Sequence, residues 1–333
     1  MVENETSHVD RPAGVIGAGL MGSGIAALMC AAGMQVRVFD IDRFRLSQLL
    51  PEIETIVREL EEHGLAEGGA AGDAKRRIVL AEDFGSFHDC DLVLEAVVEN
   101  AQVKRDLYAA LEESVPPSTI IASNTSNIVP SKLVPGMKNP ERFIVAHFWN
   151  PPYAVPLVEV VPAAETAEST VERTVAWVKR IGNEPVVLKK EVAGFIGNRL
   201  QYALLREALW LVQRGIASPE EIDHVMTLSL GRRYAVVGPF GTADLGGLDT
   251  FLTISQQLMP ELASDLAPLE VMKNAVASGH VGVRAGRGLL EWPEERSAAI
   301  LTQRKEELLG RRYKETRGRV SHYRTDVGVQ KSR

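Results

Sequence analysis

Three glycines near the start of the chain, Gly17, Gly19 and Gly22, follow a short apolar run and open a helical stretch. Strand, glycine-rich turn and helix in this order favour a dinucleotide-binding unit. The first glycine permits a tight turn, the second lets a pyrophosphate approach the backbone, and the third lets the helix pack on the strand. Leu20 and Met21 then begin a helix whose N–H groups and dipole favour phosphate. An ordinary strand–helix turn is the alternative interpretation.

Asp40 supports the interpretation of this turn as part of a dinucleotide-binding site. It ends a second apolar run, 18 residues beyond Gly22, where a carboxylate can accept hydrogen bonds from ribose hydroxyls. A carboxylate at this point would repel the additional phosphate of NADP, so the sequence predicts NAD as the cofactor. Arg37, Arg43 and Arg45 are close by in the sequence and leave NADP open.

The N-terminal part alternates strand-like and helix-like segments, which predicts an α/β fold with a doubly wound, Rossmann-type parallel sheet. After Lys190 the pattern is helical, with no convincing strand. We therefore expect an NAD-binding Rossmann domain over residues 1–188 and a smaller, all-helical C-terminal domain for substrate binding and dimerisation over residues 189–333. The predicted strands are Ala13–Gly17, Gln35–Asp40, Arg77–Leu80, Asp91–Ala96, Thr119–Ser123, Phe143–His147, Leu157–Val161 and Val186–Leu188.

Composition narrows the class of protein. The chain has 333 residues, enough for two domains, and no stretch nears the roughly 18 uninterrupted apolar residues that span a bilayer. The polar, acidic start lacks the basic and apolar regions of a secretory signal, so we expect a cytoplasmic protein. A net charge of -7 gives no general attraction to nucleic acid or to an anionic membrane.

Neither the histidines nor the cysteines form a metal-binding pattern. The seven histidines are scattered, and we expect the two cysteines, Cys30 and Cys90, to be small buried residues. We therefore expect no metal. Basic residues gather near the C-terminus, where a solvated helix with a frayed end is the expected structure. These residues are Arg311, Arg312, Lys314, Arg317, Arg319, Lys331 and Arg333.

His147 and Glu159 are the candidates for proton transfer. They lie in two predicted strands, 12 residues apart, and an Asn-Pro-Pro turn between them can bring them side by side. A carboxylate that bonds one imidazole nitrogen fixes the tautomer and leaves the other nitrogen basic, as removal of an alcohol proton requires. On these residues alone, a structural histidine at a strand end is the more frequent case.

Six further short motifs stand in a definite order along the chain. They are E-A-V-V-E-N at 95–100, S-N-T-S at 123–126, H-F-W-N-P at 147–151, L-V-E-V at 157–160, G-F-I-G-N-R-L at 194–200 and G-P-F at 238–240. With the glycine-rich turn, this ordered set resembles the 3-hydroxyacyl-CoA dehydrogenase family over nearly the whole chain. Each motif is short, but the ordered set is highly specific.

The resemblance implies roles for the residues at matching positions. His147 would be the general base in oxidation and Glu159 its orienting partner, while Ser126 and Asn198 would hydrogen-bond the reacting oxygen. Asn150, in H-F-W-N-P, would contact the substrate. The implied reaction is NAD-dependent oxidation of the secondary alcohol of an L-3-hydroxy acid to the 3-keto acid, with the hydride going to NAD and the proton to His147.

Glu99 and Lys104 match positions that in this family lie near the nicotinamide and its ribose. The alternative for these two residues is a capping acid and a solvated helix lysine.

Two segments differ from the acyl-CoA members of the family. In place of lysines suited to coenzyme A phosphates the chain has R-E-L-E-E-H-G at 58–64, with three carboxylates, although K-R-R follows at 75–77. The segment G-R-R-Y-A-V-V-G-P at 231–239 is longer than usual. It resembles a branch with L-gulonate 3-dehydrogenase (lambda-crystallin-like), carnitine dehydrogenase and a pyridine-carboxylate dehydrogenase, which act on unesterified acids. Arg233 is therefore a candidate for a bidentate clamp on a substrate carboxylate, with a solvated loop arginine as the alternative.

Three other functions stay open. The substrate is alternatively a 3-hydroxyacyl-CoA such as 3-hydroxybutyryl-CoA. A non-catalytic protein is a second alternative, because a relative of this branch is an abundant lens protein. A nucleotide-binding regulatory module would explain the glycine-rich turn but not the pairing of His147 with Glu159.

The resemblance also implies a homodimer, in which apolar residues of the helical domain form either the interface or the core. These residues are Leu204, Leu205, Ala208 and Leu211.

Overall fold

A computed structural model describes residues 11–318 and contains one sheet of eight strands in this range. The strands are β1 (Ala13–Ile16), β2 (Val36–Phe39), β3 (Ile78–Leu80), β4 (Leu92–Glu95), β5 (Ile120–Ser123), β6 (Phe143–Phe148), β7 (Leu157–Pro162) and β8 (Glu184–Val187). Their order across the sheet is β3-β2-β1-β4-β5-β6-β7-β8, and only the β6–β7 pair is antiparallel. The predicted doubly wound sheet is confirmed.

Helices connect the strands, and after β8 the described chain continues as helices. In the described range they are α1 (Leu20–Ala31), α2 (Arg43–Glu62), α3 (Ala70–Arg77), α4 (Ala101–Glu112), α5 (Glu168–Arg180), α6 (Gly197–Gln213), α7 (Pro219–Leu228), α8 (Leu230–Tyr234), α9 (Pro239–Gly246), α10 (Leu248–Leu258), α11 (Glu270–Ala277) and α12 (Glu294–Gly318). Arg77, predicted as the first residue of a strand, is instead the last residue of α3.

Strand side chains alternate between two hydrophobic clusters, one on each face of the sheet. In β4, for example, Leu92 and Leu94 join one cluster, and Val93 joins the other. Such runs are apolar throughout because a parallel strand is covered by helices on both sides. Burying each of these side chains stabilises the fold by roughly 1.5–3 kcal/mol.

Contacts between residues divide the chain into two units. The described residues as far as Ile196, together with those from Arg304, form the first unit, and Gly197–Gln303 form the second. The second unit is helical, with only isolated bridges besides helices and turns. The assignment of residues 189–333 to substrate binding and dimerisation stays a prediction.

Among the described side chains of the basic C-terminal stretch, that of Arg312 differs from the expected solvated helix. Arg312 is only 5% exposed, because its guanidinium bonds carbonyl groups of the first unit. Arg311 is exposed as expected. Arg319, Lys331 and Arg333 lie outside the described residues, as does the acidic start of the chain.

Candidate active site

The candidate residues of the first unit gather at one edge of the sheet. Strands β1, β2, β4, β5 and β6 run parallel, so the segments that follow them meet at their carboxyl ends. The order of the strands reverses between β1 and β4, and such a switch point forms a crevice for a ligand.

The glycine-rich turn after β1 has the shape that a pyrophosphate needs. Gly17 has φ +101°, and a Cβ there would lie 2.6 Å from the Ala96 carbonyl oxygen. A Cβ on Gly22 would lie 1.8 Å from the Gly17 carbonyl oxygen, so α1 packs against the turn only without a side chain. A Cβ on Gly19 would meet nothing within 4 Å, so this position is open for a ligand group.

The start of α1 suits an anion. Its first turn carries no acidic residue, and no side chain caps its N-terminal N–H groups. Leu20, the first residue of α1, is 63% exposed, and Met21 is partly exposed. Unsatisfied N–H groups at a helix N-terminus bind phosphate through hydrogen bonds and the helix dipole.

Asp40, directly after β2, lies beside this turn. One carboxylate oxygen accepts the Ala18 N–H at 2.7 Å, and the other accepts the Asp42 N–H at 2.8 Å. Each oxygen keeps further acceptor capacity for a ribose hydroxyl. Together with the open position at Gly19, this carboxylate fits the nucleotide half of NAD.

Two of the three nearby arginines are bonded within the protein. Arg45 donates to the Ala18 carbonyl and to Glu52, both at 2.6 Å. Arg37 bonds Asp89 at 2.5 Å. Because both guanidinium groups already have acceptors, the residues around Asp40 favour NAD over a cofactor with an additional phosphate.

Four buried polar residues lie together at the ends of β4 and β5 and in α4. We call them the Glu95 cluster: Glu95, Lys104, Tyr108 and Ser123. Glu95, at the end of β4, is fully buried and accepts from Lys104 at 2.6 Å, Tyr108 at 2.6 Å and Ser123 at 2.7 Å. It also accepts the Val97 N–H at 2.8 Å. Lys104 is 1% exposed, so its interpretation as a solvated helix lysine is wrong.

Glu99 connects this cluster to the S-N-T-S loop after β5. Its carboxylate lies 3.4 Å from the Lys104 ammonium and accepts the Thr125 hydroxyl at 2.5 Å and the Ser126 N–H at 3.1 Å. Burial raises the pKa of Glu99, but the Thr125 hydroxyl, the charge of Lys104 and N–H groups of the loop outweigh it, so the pKa lies below its ordinary value. Glu99 therefore holds the loop as an anion at neutral pH. The residue that caps α4 is Asn100 and not Glu99.

His147 and Glu159 face each other across the antiparallel strand pair. They are direct partners in the β6–β7 register, and His147 Nδ1 lies 3.0 Å from Glu159 Oε2. Both side chains are buried, at 5% and 1% exposure. The bond to Nδ1 leaves Nε2 as the ring nitrogen for a substrate proton.

Further groups fix this pair in place. Trp149 Nε1 donates to Glu159 at 3.3 Å, and the Ile196 N–H donates to the other Glu159 oxygen at 2.8 Å. The rings of Trp149 and Phe195 lie 5.6 Å and 5.5 Å from the His147 ring. Phe195 holds this position with φ +51°, which is rare for a bulky residue.

The remaining predicted site residues are Asn150, Asn198 and Arg233. Asn150 is exposed and lies two residues after the end of β6, the strand of His147. Asn198 is the second residue of α6, and Arg233 is an exposed residue of the short helix α8, so both belong to the second unit. Arg233 is therefore in a short helix, and not in the loop that its alternative interpretation assumed.

Ion pairs weaken the charge argument about coenzyme A. Of the three carboxylates at 58–64, Glu59 pairs with Lys305 at 2.5 Å, and Glu61 accepts the Ala71 N–H at 3.0 Å. Lys75 in turn pairs with Glu54, so the nearby basic residues are also partly neutralised. Neither sign dominates this surface.

No group of histidine, cysteine and acidic residues in the described range could hold a metal ion. Within the same range, no helix is long and apolar enough to cross a membrane.

The glycine-rich turn, Asp40 and the paired His147 and Glu159 at one sheet edge define an NAD-dependent oxidoreductase. Profiles of the NAD-binding and C-terminal domains of 3-hydroxyacyl-CoA dehydrogenase match residues 12–192 and 194–292. The chain belongs to the 3-hydroxyacyl-CoA dehydrogenase family, whose members are NAD-dependent dehydrogenases acting on 3-hydroxy groups.

Individual relatives differ in their substrates. The 5-formyl-3-hydroxy-2-methylpyridine 4-carboxylate 5-dehydrogenase of Mesorhizobium japonicum is 34% identical over 298 residues, 89% of this chain and 95% of that protein. A crystal structure of an enzyme of this name, described as an NAD+ dependent dismutase, has a TM-score of 0.86 at 32% identity, over 93% of this chain and 99% of that one.

Two other relatives have different names. The lambda-crystallin homolog of Rattus norvegicus is 40% identical over 69% of this chain and 73% of that protein. A probable 3-hydroxybutyryl-CoA dehydrogenase of Deinococcus radiodurans is 36% identical over 84% of this chain and 99% of that protein. Identity alone therefore does not separate free acids from thioesters.

Proposed function

We propose that this protein oxidises the secondary alcohol of a free L-3-hydroxy acid to the 3-keto acid, with His147 as the proton acceptor. The observation that carries the proposal is the 3.0 Å bond between His147 Nδ1 and a buried Glu159 carboxylate. A carboxylate on Nδ1 orients the ring and stabilises the imidazolium that forms when Nε2 takes a proton. The family supplies the rest of the reaction class.

In the mechanism, NAD supplies the hydride acceptor when it is bound. Asp40 would hold the adenosine ribose, and the N-terminus of α1 would hold the pyrophosphate. Ser126, in the loop that Glu99 fixes, and Asn198 would hydrogen-bond the substrate oxygen. His147 would then remove the hydroxyl proton as the carbon gives up its hydride.

The preference for a free acid rests on Arg233 and on the related pyridine carboxylate dehydrogenase. An exposed guanidinium has two parallel donors that match a carboxylate. The alternative substrate, a 3-hydroxyacyl-CoA, is supported by the relative of Deinococcus radiodurans.

The test is NADH formation at 340 nm with purified protein, comparing free 3-hydroxy acids, 5-formyl-3-hydroxy-2-methylpyridine 4-carboxylate and 3-hydroxybutyryl-CoA. We expect turnover of at least one free acid and little turnover of the thioester. Turnover of the thioester alone would establish the alternative. No turnover with any compound, despite NAD binding, would favour a non-catalytic role.

Arg233→Ala tests the carboxylate clamp. Loss of a charge-assisted bidentate contact is expected to raise KM for the free acid by about tenfold or more, because such bonds are worth about 1.5–3 kcal/mol. Arg232→Ala is the matched control, since Arg232 is the exposed neighbour on the same short helix. An unchanged KM in Arg233→Ala, with the control also unchanged, would refute the clamp.

We also propose a homodimer formed through the second unit. Several apolar side chains there are more than half exposed, and large exposed apolar surfaces mark interaction sites. They include Leu200, Tyr202, Val225, Phe240, Leu245 and Leu252. Sedimentation at low concentration should give twice the chain mass of 36.4 kDa, and a single-chain mass would contradict the dimer.

A cytoplasmic location is proposed as well. The two cysteines, Cys30 and Cys90, are buried and unpaired, which suits a reducing compartment. Cell fractionation tests this, and recovery from a secreted fraction would contradict it.

A further inference from the structure

The last helix contacts the loop that follows the candidate base. We call residues 150–153, directly after β6 and Trp149, the Pro loop. Arg304 of α12 donates to the Asn150 carbonyl at 3.1 Å, and Arg312 donates to the Pro152 carbonyl at 3.4 Å. The two arginines are eight positions apart, slightly more than two helical turns, so they lie on similar sides of α12.

The Pro loop has few backbone N–H donors of its own. Pro151 and Pro152 have no N–H to donate, so carbonyl groups supply most of the loop's backbone bonding. The Pro151 carbonyl accepts the Ala154 and Val155 N–H groups, each at 3.0 Å, and closes the turn from within. The carbonyls on either side, those of Asn150 and Pro152, are the ones that accept from α12.

Arg312 is placed at a cost in stability. Besides Pro152, its donors go to the Gly182 carbonyl and the Asn183 side-chain oxygen, both at 2.9 Å. Burial lowers the pKa of Arg312 to about 10. These three acceptors are uncharged, and a buried charge held in this way usually stabilises a fold less than an apolar side chain of similar volume would. In return, the hydrogen bonds of Arg312 connect the Pro loop to the segment after α5.

The same stretch of α12 is also bonded to α2. Lys305 pairs with Glu59 at 2.5 Å, and Glu306 lies 3.0 Å from His63 Nε2. Leu309, between the two arginines, is fully buried. The stretch therefore forms a strap from α2 to the Pro loop.

This strap lies outside the part of the chain that matches the family. The matched C-terminal domain ends at residue 292, and the first strap contact is made by Arg304. The shared domains thus do not account for the support that α12 gives to the Pro loop.

We propose that Arg304 and Arg312 are positioning residues, which hold the Pro loop so that Asn150 and His147 meet the hydroxy substrate in one geometry. The effect on substrate binding rests on the proposed function, whereas the support of the Pro loop does not. The inference predicts that the strap sets KM for the hydroxy substrate and has little effect on NAD binding, because the glycine-rich turn and Asp40, which would hold NAD, follow β1 and β2.

Arg304→Ala is the first test, because Arg304 is exposed and its removal should leave the fold intact. We expect KM for the hydroxy substrate to rise about five- to tenfold, comparable to the loss of one ordinary intramolecular hydrogen bond, because the bond from Arg304 is exposed to solvent. KM for NAD and kcat should stay within about twofold, and Arg304→Lys should restore part of the KM. Arg311→Ala, an exposed arginine of the same helix, is the matched control.

Hydrogen exchange gives a second measurement that needs no substrate. In Arg304→Ala, the Ala154 and Val155 amides should exchange faster than in the parent protein or in Arg311→Ala, because their turn loses its outer support. Arg312→Met should give the same change, and the double variant should give less than the sum of both.

The outcomes separate this inference from the proposed function. If no compound is turned over, the exchange alone decides: faster exchange supports the strap, and unchanged exchange refutes it. If turnover is found, a raised substrate KM with faster exchange supports the inference. An unchanged KM refutes positioning even if the exchange is faster.

Discussion

Replacing His147 by glutamine is expected to lower kcat by about 10²–10⁴-fold, the contribution of a positioned general base. Glutamine keeps a polar group of similar reach but cannot take a proton at neutral pH. NAD binding should be unchanged, because His147 lies in β6 while the glycine-rich turn follows β1. The measurements are kcat with the substrate found in the panel, and NADH binding by fluorescence titration.

His88→Gln is the matched control for this loss. His88 is an exposed histidine whose ring bonds the Gly85 carbonyl, so its replacement should change kcat by less than about twofold. A loss below about tenfold in His147→Gln, with equal thermal stability, would contradict the assignment of the base.

Glu159→Gln examines the partner of the base. An amide in this position can still accept the Ile196 N–H, but it no longer holds Nδ1 with a charge. We expect kcat to fall in this variant too. The double variant should be scarcely slower than His147→Gln alone, because residues that act as a unit are not additive.

The paired strands show how far the sequence predicts this site. Continuous apolar runs indicated the strands, because both faces of a parallel sheet are covered. The Asn-Pro-Pro turn between two such runs predicted that His147 and Glu159 meet, and the β6–β7 register places them opposite each other. The start of α7 also has a local signal in the sequence, because Ser218 and Glu221, three residues apart, form a capping box.

Burial of charged residues was not predictable in the same way. Lys104 and Arg312 each stand in a polar helical stretch that suits a solvated face, and their burial depends on where the whole helix packs. The positive φ of Phe195 had no signal in the sequence either, because such a backbone conformation is normally marked by glycine. A carboxylate at the end of an apolar strand, Glu95, with a lysine nine residues later, was the available signal for the Glu95 cluster.

The largest loss of stability is expected from Glu95→Ala. Four donors converge on this carboxylate, and its ion pair with Lys104 is buried on both sides, with side-chain exposures of 0% and 1%. Removing Glu95 leaves the buried Lys104 ammonium with only the partly exposed Glu99 carboxylate, 3.4 Å away, and loss of one partner of a buried pair costs about 3–5 kcal/mol. The thermal midpoint should therefore fall by on the order of 10 °C, measured by calorimetry.

Two controls distinguish the unpaired charge from the lost volume. Glu95→Leu combined with Lys104→Met removes both charges, and it should regain most of the midpoint, because apolar replacement of a whole buried pair is often neutral. Glu113→Ala breaks the Lys138–Glu113 pair, which is exposed at both ends, and should change the free energy of unfolding by less than about 1 kcal/mol. If Glu95→Ala shifts the midpoint no more than Glu113→Ala does, the cluster does not stabilise the fold. If the double variant is no more stable than Glu95→Ala, lost hydrogen bonds and volume, and not the lysine charge, account for the effect.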